Sequence, residues 1–451
     1  MYALVNYIVR ILKIIVPETV VELLRPLYHR MLAYGMAFSY GFPARSLTVI
    51  GVTGTKGKST TAEMLFSVLR AAGYKTALLS TIRFAIENDS EPNRYKMTLP
   101  GRGFAQTFMR KALATGCTHV VIEITSESVL QYRHWFLDLD GLIVTNVQRE
   151  HIERHGSFEK YVEAKHSIVD ALVRSPKRSR VLVTNGDLPE THAFISARVS
   201  RAIAFSAHEL RNLSEDERNV GFDYNGVRFS LPVPGAFNAM NALAAVKLTE
   251  ALGIPLPVAA SALAVLPPVR GRVEHIDVGQ DFLAVVDYAH TPDSLAALYS
   301  AFPTHRKICV LGNTGGGRDT WKRSLMGRIA DEACEKVILT NEDPYDEDPA
   351  SIVEEMVRGM ARAPQIIMDR RFAIRSALRI ALSLSTVSLS NPSKDTVPLD
   401  SARGPRNQNS IAVLITGKGT DPFIMGPRGS KEPWSDAQVV REELERLLGE
   451  V

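Results

Sequence analysis

Cysteine is scarce in this chain, and its placement follows no pairing pattern. Cys117, Cys309 and Cys334 lie far apart with no Cys-x-x-Cys spacing. An odd count without that spacing predicts neither a disulfide frame nor a zinc site, and it fits a reducing cytoplasm. Net charge is also low, at +4 over 451 residues. No basic stripe interleaved with aromatics is present, so nucleic acid is not an expected partner. No repeat of 20–50 residues is evident, which excludes a solenoid. The apolar run from Leu4 to Val16 falls short of the about 20 residues a membrane-spanning helix needs. What remains is an ordinary globular composition, 45% apolar. At roughly 100–200 residues per domain, the length suits two to four domains.

Within that first run, Asn6, Arg10 and Lys13 recur at helical spacing, and Pro17 ends it. The charges sit inside the apolar stretch and no clear cleavage site follows, which disfavours a signal peptide. Two readings stay open: a helix docked on the protein's own core, or an interfacial helix on the inner membrane face.

Farther on, Leu47 to Val52 reads as a buried strand, followed by a glycine-rich turn and a helical pattern from Thr60 to Ala72. Apolar runs at Thr118–Ile124, Leu142–Val147 and Val181–Thr184 alternate with helical stretches, which predicts a mostly parallel sheet. A second series follows Pro267-Pro268, with strands expected at Phe282–Val286, Ile308–Leu311, Val337–Thr340, Ile366–Met368 and Ile411–Ile415. The expected fold class is therefore α/β. A short helical segment over 1–46 precedes a central P-loop-type parallel-sheet ATPase domain over 47–268. A Rossmann-like α/β domain over 269–451 follows, with a mobile loop at about 391–410, where Ser, Pro, Asn and Gly dominate.

The strongest motif is Gly54-Thr55-Lys56-Gly57-Lys58-Ser59-Thr60, between strand and helix. Backbone N–H groups of such a turn, together with a helix N-terminus, bind phosphate oxygens. Lys58 would reach the β and γ phosphates and Ser59 would ligate magnesium. The strict spacing puts a glycine where this chain has Val52, so the simple pattern fails by one position.

That loop resembles the variant of Mur ligases and folylpolyglutamate synthases, Gly-Thr-x-Gly-Lys-Ser/Thr. The resemblance continues in order. Thr98-Leu-Pro100, Glu123-Ile-Thr-Ser126-Glu-Ser128, Thr145-Asn-Val-Gln-Arg-Glu-His151, His155-Gly156 and Glu163-Ala-Lys165 each match a family segment. The branch most similar is MurE, which adds the third residue to a UDP-muramoyl peptide. The resemblance implies ATP and magnesium, with two metal ions expected. It implies a carboxylate acceptor and an amino acid as substrates, and an acyl phosphate between them. Ser59, Glu123 and His151 would form the metal site. Lys165 would be carbamylated, turning a cation into an oxygen ligand for the second magnesium. Asn238 and Asn241 in Gly235-Ala-Phe-Asn-Ala-Met-Asn241 would contact ATP. So would Arg272, with Asp287 and His290 facing ribose and phosphates. Thr98, Ser126 and Arg133 would meet the acceptor, and Arg318, Asp343, Tyr345, Gly417, Lys418 and Asp421 the amine side. A cytoplasmic monomer, with possible contact to the inner membrane face, is the matching expectation.

Three departures set it apart from the MurE pattern. The first strand begins at Leu47, so the usual N-terminal UDP-binding domain is not expected, and a UDP-linked substrate is disfavoured or held differently. Glu127 stands where the family has a histidine. Glu342-Asp343-Pro344-Tyr345 replaces Asp-Asn-Pro-Arg, which removes the arginine that would clamp a carboxylate bidentately. That disfavours meso-diaminopimelate and leaves lysine or ornithine the better amine. A ligase of the same superfamily for polyglutamate, cyanophycin-like material or folate is the alternative. A catalytically silent ATP-binding scaffold at the membrane is the third reading, opposed by Lys58, Glu123, His151 and Lys165.

Overall fold

The computed structural model describes residues 18–95, 97–101, 103–150, 152–317, 319–390 and 410–450. The run at Leu4–Val16, His151, Arg318 and the loop over 391–409 lie outside the described residues. The chain divides into two compact units. One holds the described residues up to Gln148 with Ser157–Ser206 and Ala244–Ala259. The other holds Arg149–Gly156, Ala207–Leu243 and the chain from Ala260.

The first unit opens with helix α1, Glu18–Ser39. Its last turns dock through buried Ala37 and through Met36, against which Gly103 packs closely. The sheet comprises β1 (Thr48–Thr53), β2 (Thr76–Leu79), β3 (Arg83–Ile86), β4 (Asp89–Pro92), β5 (His119–Glu123), β6 (Gly141–Val144), β7 (Val181–Asn185) and β8 (Arg201–Phe205). Their order is β4-β3-β2-β5-β1-β6-β7-β8. All neighbours are parallel except the β2-β3 and β3-β4 pairs. The near-continuous apolar strands read this way because both sheet faces are covered. Val49, Val120, Ile122, Leu142 and Val144 share one core with α3 (Phe104–Ala114) and α4 (Phe158–Val173). Helix α2, Lys58–Ala71, follows β1 directly.

The second unit holds a three-stranded antiparallel sheet, β9 (Arg211–Glu215), β10 (Val220–Tyr224) and β11 (Val227–Leu231), which the sequence pattern did not suggest. Its main sheet runs β12-β13-β17-β14-β15-β16. These are Glu274–His275, Leu283–Val286, Ile411–Ile415, Arg306–Leu311, Lys336–Leu339 and Gln365–Ile366, parallel except for β12. Side chains alternate between two cores. Val285, Cys309, Leu311 and Leu414 face one, while Val286, Val310, Val413 and Ile415 face the other. That period of two is the mark of a strand buried on both faces.

The expectation of unpaired cysteines is corrected here. Cys309 and Cys334 form a disulfide, with their Cα atoms 6.2 Å apart, while Cys117 is free and buried. The helix Lys322–Ala333 returns the chain from β14 to β15, so a residue just past its end comes back beside the strand that precedes it. Among the described residues no helix is long and apolar enough to cross a membrane.

Candidate active site

Strand β1 ends at Thr53, and the glycine-rich turn carries the chain into α2. Gly54 has φ +149°, and a Cβ there would overlap the Thr145 hydroxyl, so the turn needs glycine. Thr145 and Asn146, just past β6, clasp this turn. Thr145 Oγ1 donates to Lys56 O at 2.6 Å. Asn146 Oδ1 accepts from the backbone N–H groups of Thr55 (3.1 Å) and Lys56 (2.8 Å). These two amides therefore meet a side chain rather than an open space. The next residues differ. Gly57 caps α2 with φ +79° and no side-chain hydrogen bond. The N–H groups of Lys58, Ser59 and Thr60 have no acceptor within the helix, the usual condition at a helix start. An uncapped N-terminus with its partial positive charge suits an anion.

Lys58 Nζ curls back on its own turn, donating to Gly54 O (3.1 Å) and Thr55 O (2.8 Å). Ser59 Oγ donates to Glu123 Oε2 at 3.0 Å, and the Thr81 N–H donates to the same oxygen at 2.9 Å. Glu123 ends β5, beside β1, and is 1% exposed. A hydroxyl and a carboxylate thus meet at the C-terminal ends of adjacent parallel strands, where α/β folds place their sites. Both are hard oxygen donors of the kind magnesium takes. Among the described residues no group of three or more His, Cys, Asp or Glu stands ready to hold a metal.

Lys165 projects from α4 and is also 1% exposed. Its ammonium donates to Gly54 O (2.8 Å) and Thr53 Oγ1 (3.2 Å), and lies 5.3 Å from the Tyr161 ring centroid. Tyr161 in turn shares a 2.7 Å hydrogen bond with Thr55 Oγ1. Asn146, Tyr161 and Thr81 were not singled out from the sequence. Asn146 lay within a recognised segment, so its position was signalled but not its part.

Near the loop after β3, Thr98 Oγ1 pairs with Thr81 Oγ1 at 2.7 Å. Arg133 Nη1 donates to Leu99 O at 2.6 Å, and burial lowers its pKa. Ser126 is buried at the start of a short helix, and Glu127 is exposed beside it. Buried His134 is pushed down to about 4 by burial and then by Arg174.

In the second unit, Asn238 Nδ2 donates to Pro234 O (2.7 Å), and Asn241 Nδ2 to Asn238 Oδ1 (3.3 Å). Arg272 stacks on Tyr288 at 4.5 Å. Asp287 accepts backbone N–H bonds on both oxygens, from Val273 (2.8 Å) and Ala289 (2.7 Å). His290 bonds Tyr288 O through Nδ1 (2.7 Å) and Glu150 Oε1 through Nε2 (2.8 Å).

Asp343, Lys418 and Asp421 converge: buried Lys418 Nζ lies 2.8 Å from Asp343 Oδ1 and 3.2 Å from Asp421 Oδ2. Gly417 has φ +105°, and a Cβ there would strike the Glu342 carboxylate. Burial holds Glu342 well above the usual carboxylate range. Tyr345, at φ +53°, lines a cavity of about 730 Å³ with Asp346, Asp348, Lys431 and Glu432.

Known proteins share this arrangement. The sequence profile of the Mur ligase middle domain matches residues 52–249, and that of the Mur ligase, glutamate ligase domain matches residues 271–390. The UDP-N-acetylmuramyl-tripeptide synthetase of Roseiflexus sp. (strain RS-1) is 33% identical over 439 residues, covering 90% of this chain and 80% of that protein. A UDP-N-acetylmuramoyl-L-alanyl-D-glutamate--2,6-diaminopimelate ligase of Chlorobaculum tepidum is 35% identical over 363 residues, covering 75% of this chain and 70% of its own. The fold is similar to that of Mycobacterium tuberculosis folylpolyglutamate synthase complexed with ADP and AMPPCP. The TM-score is 0.66 at 16% identity, over 87% of this chain and 93% of that one.

Proposed function

The chain belongs to the Mur ligase family, and from that premise we propose which carboxylate and amine it joins and which residues do so. It is an ATP-dependent amide-bond ligase of the kind that builds peptidoglycan precursors. The acceptor we propose is a UDP-linked muramoyl dipeptide, the compound in the relatives' names, and the place of work is the cytoplasm. Residues 47–268 and 269–451 would be the family's central and C-terminal domains. One copy would suffice, with residues 4–16 available to the inner membrane face.

The reaction runs in two steps. A carboxylate oxygen of the acceptor attacks the γ-phosphorus of ATP, and ADP leaves. The amine then attacks the acyl carbon, loses a proton, and phosphate departs from the tetrahedral intermediate. Both steps gather negative charge, so fixed donors and cations are the main need. The N–H groups of Lys58, Ser59 and Thr60 cradle phosphate. The Lys58 ammonium swings from the Gly54 and Thr55 carbonyls onto the β and γ oxygens. Ser59, Glu123 and His151 would hold magnesium, which supplies charge neutralisation on the phosphates when bound. As an ammonium, Lys165 braces the turn and is no metal ligand. Carbamylation would give it oxygens for a second magnesium. The observation that carries this reading is the 3.0 Å Ser59–Glu123 pair beside the uncapped start of α2.

For the amine, Tyr345 offers no guanidinium to clamp a second carboxylate. The cavity beside it has Asp346, Asp348 and Glu432 against Lys431, a balance that suits a cationic side chain. Lysine or ornithine is the proposed amine. The test is phosphate release by the purified chain with ATP, magnesium, UDP-muramoyl dipeptide, and lysine, ornithine or meso-diaminopimelate. Release at least about tenfold faster with a basic amino acid is expected, the effect of one lost or gained charge contact of about 1.4 kcal/mol. Preference for meso-diaminopimelate, or no release above background, would overturn it.

A further inference from the structure

Helix α1 carries an apolar stripe that nothing else in the described protein covers. At about 100° per residue, Val20, Leu24, Leu27, Met31, Tyr34 and Phe38 fall in one sector about 80° wide. Leu24, Leu27, Met31 and Phe38 are 51%, 55%, 66% and 65% exposed. The same geometry puts Ala33, Met36 and Ala37, on the side that docks on the body, on the opposite sector. The stripe is therefore turned outward, not misplaced core.

Charge identifies what it faces. Arg25 and Arg30 flank the stripe on either side, while Glu18 and Glu22 fall on the far side of the helix. Arg30 is held at its edge by the Tyr132 hydroxyl at 2.9 Å and by cation–π contact with Tyr132 and Trp135. The first 46 residues hold five Lys and Arg against two Glu, a net +3. The whole chain has 53 against 49, a net +4, so the other 405 residues together carry only +1. Positive charge is concentrated where apolar surface is exposed. An apolar helix face rimmed by arginine and dotted with Tyr and Phe matches the boundary between acyl chains and anionic headgroups.

We propose that α1 is a docking surface for an anionic lipid bilayer, lying in the interface plane with its stripe buried and its arginines among the headgroups. This deepens the reading of membrane contact at residues 4–16 and assigns the contact to a different, ordered element. It sets the ligase at the membrane surface without any spanning segment.

The test is flotation of the full chain with vesicles of phosphatidylcholine alone or of equal parts phosphatidylcholine and phosphatidylglycerol. A double variant, L27E/M31E, replaces two side chains that are mostly in solvent, so it leaves folding and ATP-dependent phosphate release intact. The wild type should bind the anionic vesicles at least tenfold more tightly than the neutral ones, and high salt should weaken that binding. The double variant should lose at least tenfold. No binding of the wild type to either vesicle would overturn both this proposal and the reading of residues 4–16. Binding that survives L27E/M31E would overturn the assignment to α1 alone. A concentration-dependent dimer of the wild type, abolished in the variant, would overturn it by giving the stripe to a second copy.

Discussion

Glu123 is a position where fold and chemistry separate under substitution. Its carboxylate is almost fully buried and accepts from Ser59 Oγ at 3.0 Å and from the Thr81 N–H at 2.9 Å. Glu123→Ala strands both donors. A buried donor left unsatisfied costs about 1–3 kcal/mol, so the alanine variant should lose about 2–6 kcal/mol. That is a large part of the roughly 5–15 kcal/mol by which domains are stable. Glu123→Gln keeps a carbonyl oxygen in place and loses only the charge assistance, a cost of about 1–2 kcal/mol. For turnover the two substitutions are alike, because a neutral amide supplies no anionic ligand. Losing one fixed electrostatic contact to a charged transition state costs about 10²–10³ in rate. Urea unfolding and phosphate release on the same preparations separate the effects. The glutamine variant should unfold close to the wild-type midpoint, turn over at least about 100-fold more slowly, and recover part of its rate as magnesium is raised. A glutamine variant working within about threefold of wild type would refute the metal assignment and leave Glu123 a bracing residue.

Lys165→Ala should abolish turnover, with partial rescue by added short carboxylates. Full activity without them would remove the carbamate proposal. Tyr345→Arg should raise turnover with meso-diaminopimelate and lower it with lysine, read as paired kcat/KM values. His134 gives a pH dependence. Its folded-state pKa of about 4 lies below the ordinary 6.5, so the unfolded chain takes up the proton first. Stability is then complete above about pH 6.5 and falls as pH drops toward 4, by about 2 kcal/mol between pH 7 and pH 5. His134→Phe should flatten that part of the urea profile.

Much of the site is visible in the sequence because its residues sit at fixed offsets from strand ends. The Gly54–Thr60 turn lies between a buried strand and a helix, and Glu123 closes the neighbouring strand. What holds the turn is less legible. Asn146 and Tyr161 act on Thr55 across some 90–106 positions, and a polar side chain bonding at that separation writes no local period. The three-stranded sheet escaped for a related reason. All five residues of β9 are exposed, so no apolar alternation betrays it. The Cys309–Cys334 pairing depends on a helix returning to its sheet, which spacing alone does not encode. The substrate side is least legible, because Asp343 and Asp421 both lie against Lys418 in the folded protein.

The central claim is that the acceptor carboxylate is activated on phosphorus before the amine arrives. The most direct measurement uses acceptor labelled with ¹⁸O in its reacting carboxylate and analyses the phosphate released in the presence of the amino acid. An acyl phosphate transfers one labelled oxygen from the carboxylate to each phosphate as amide forms. Phosphate carrying no label, alongside amide product, would contradict the account.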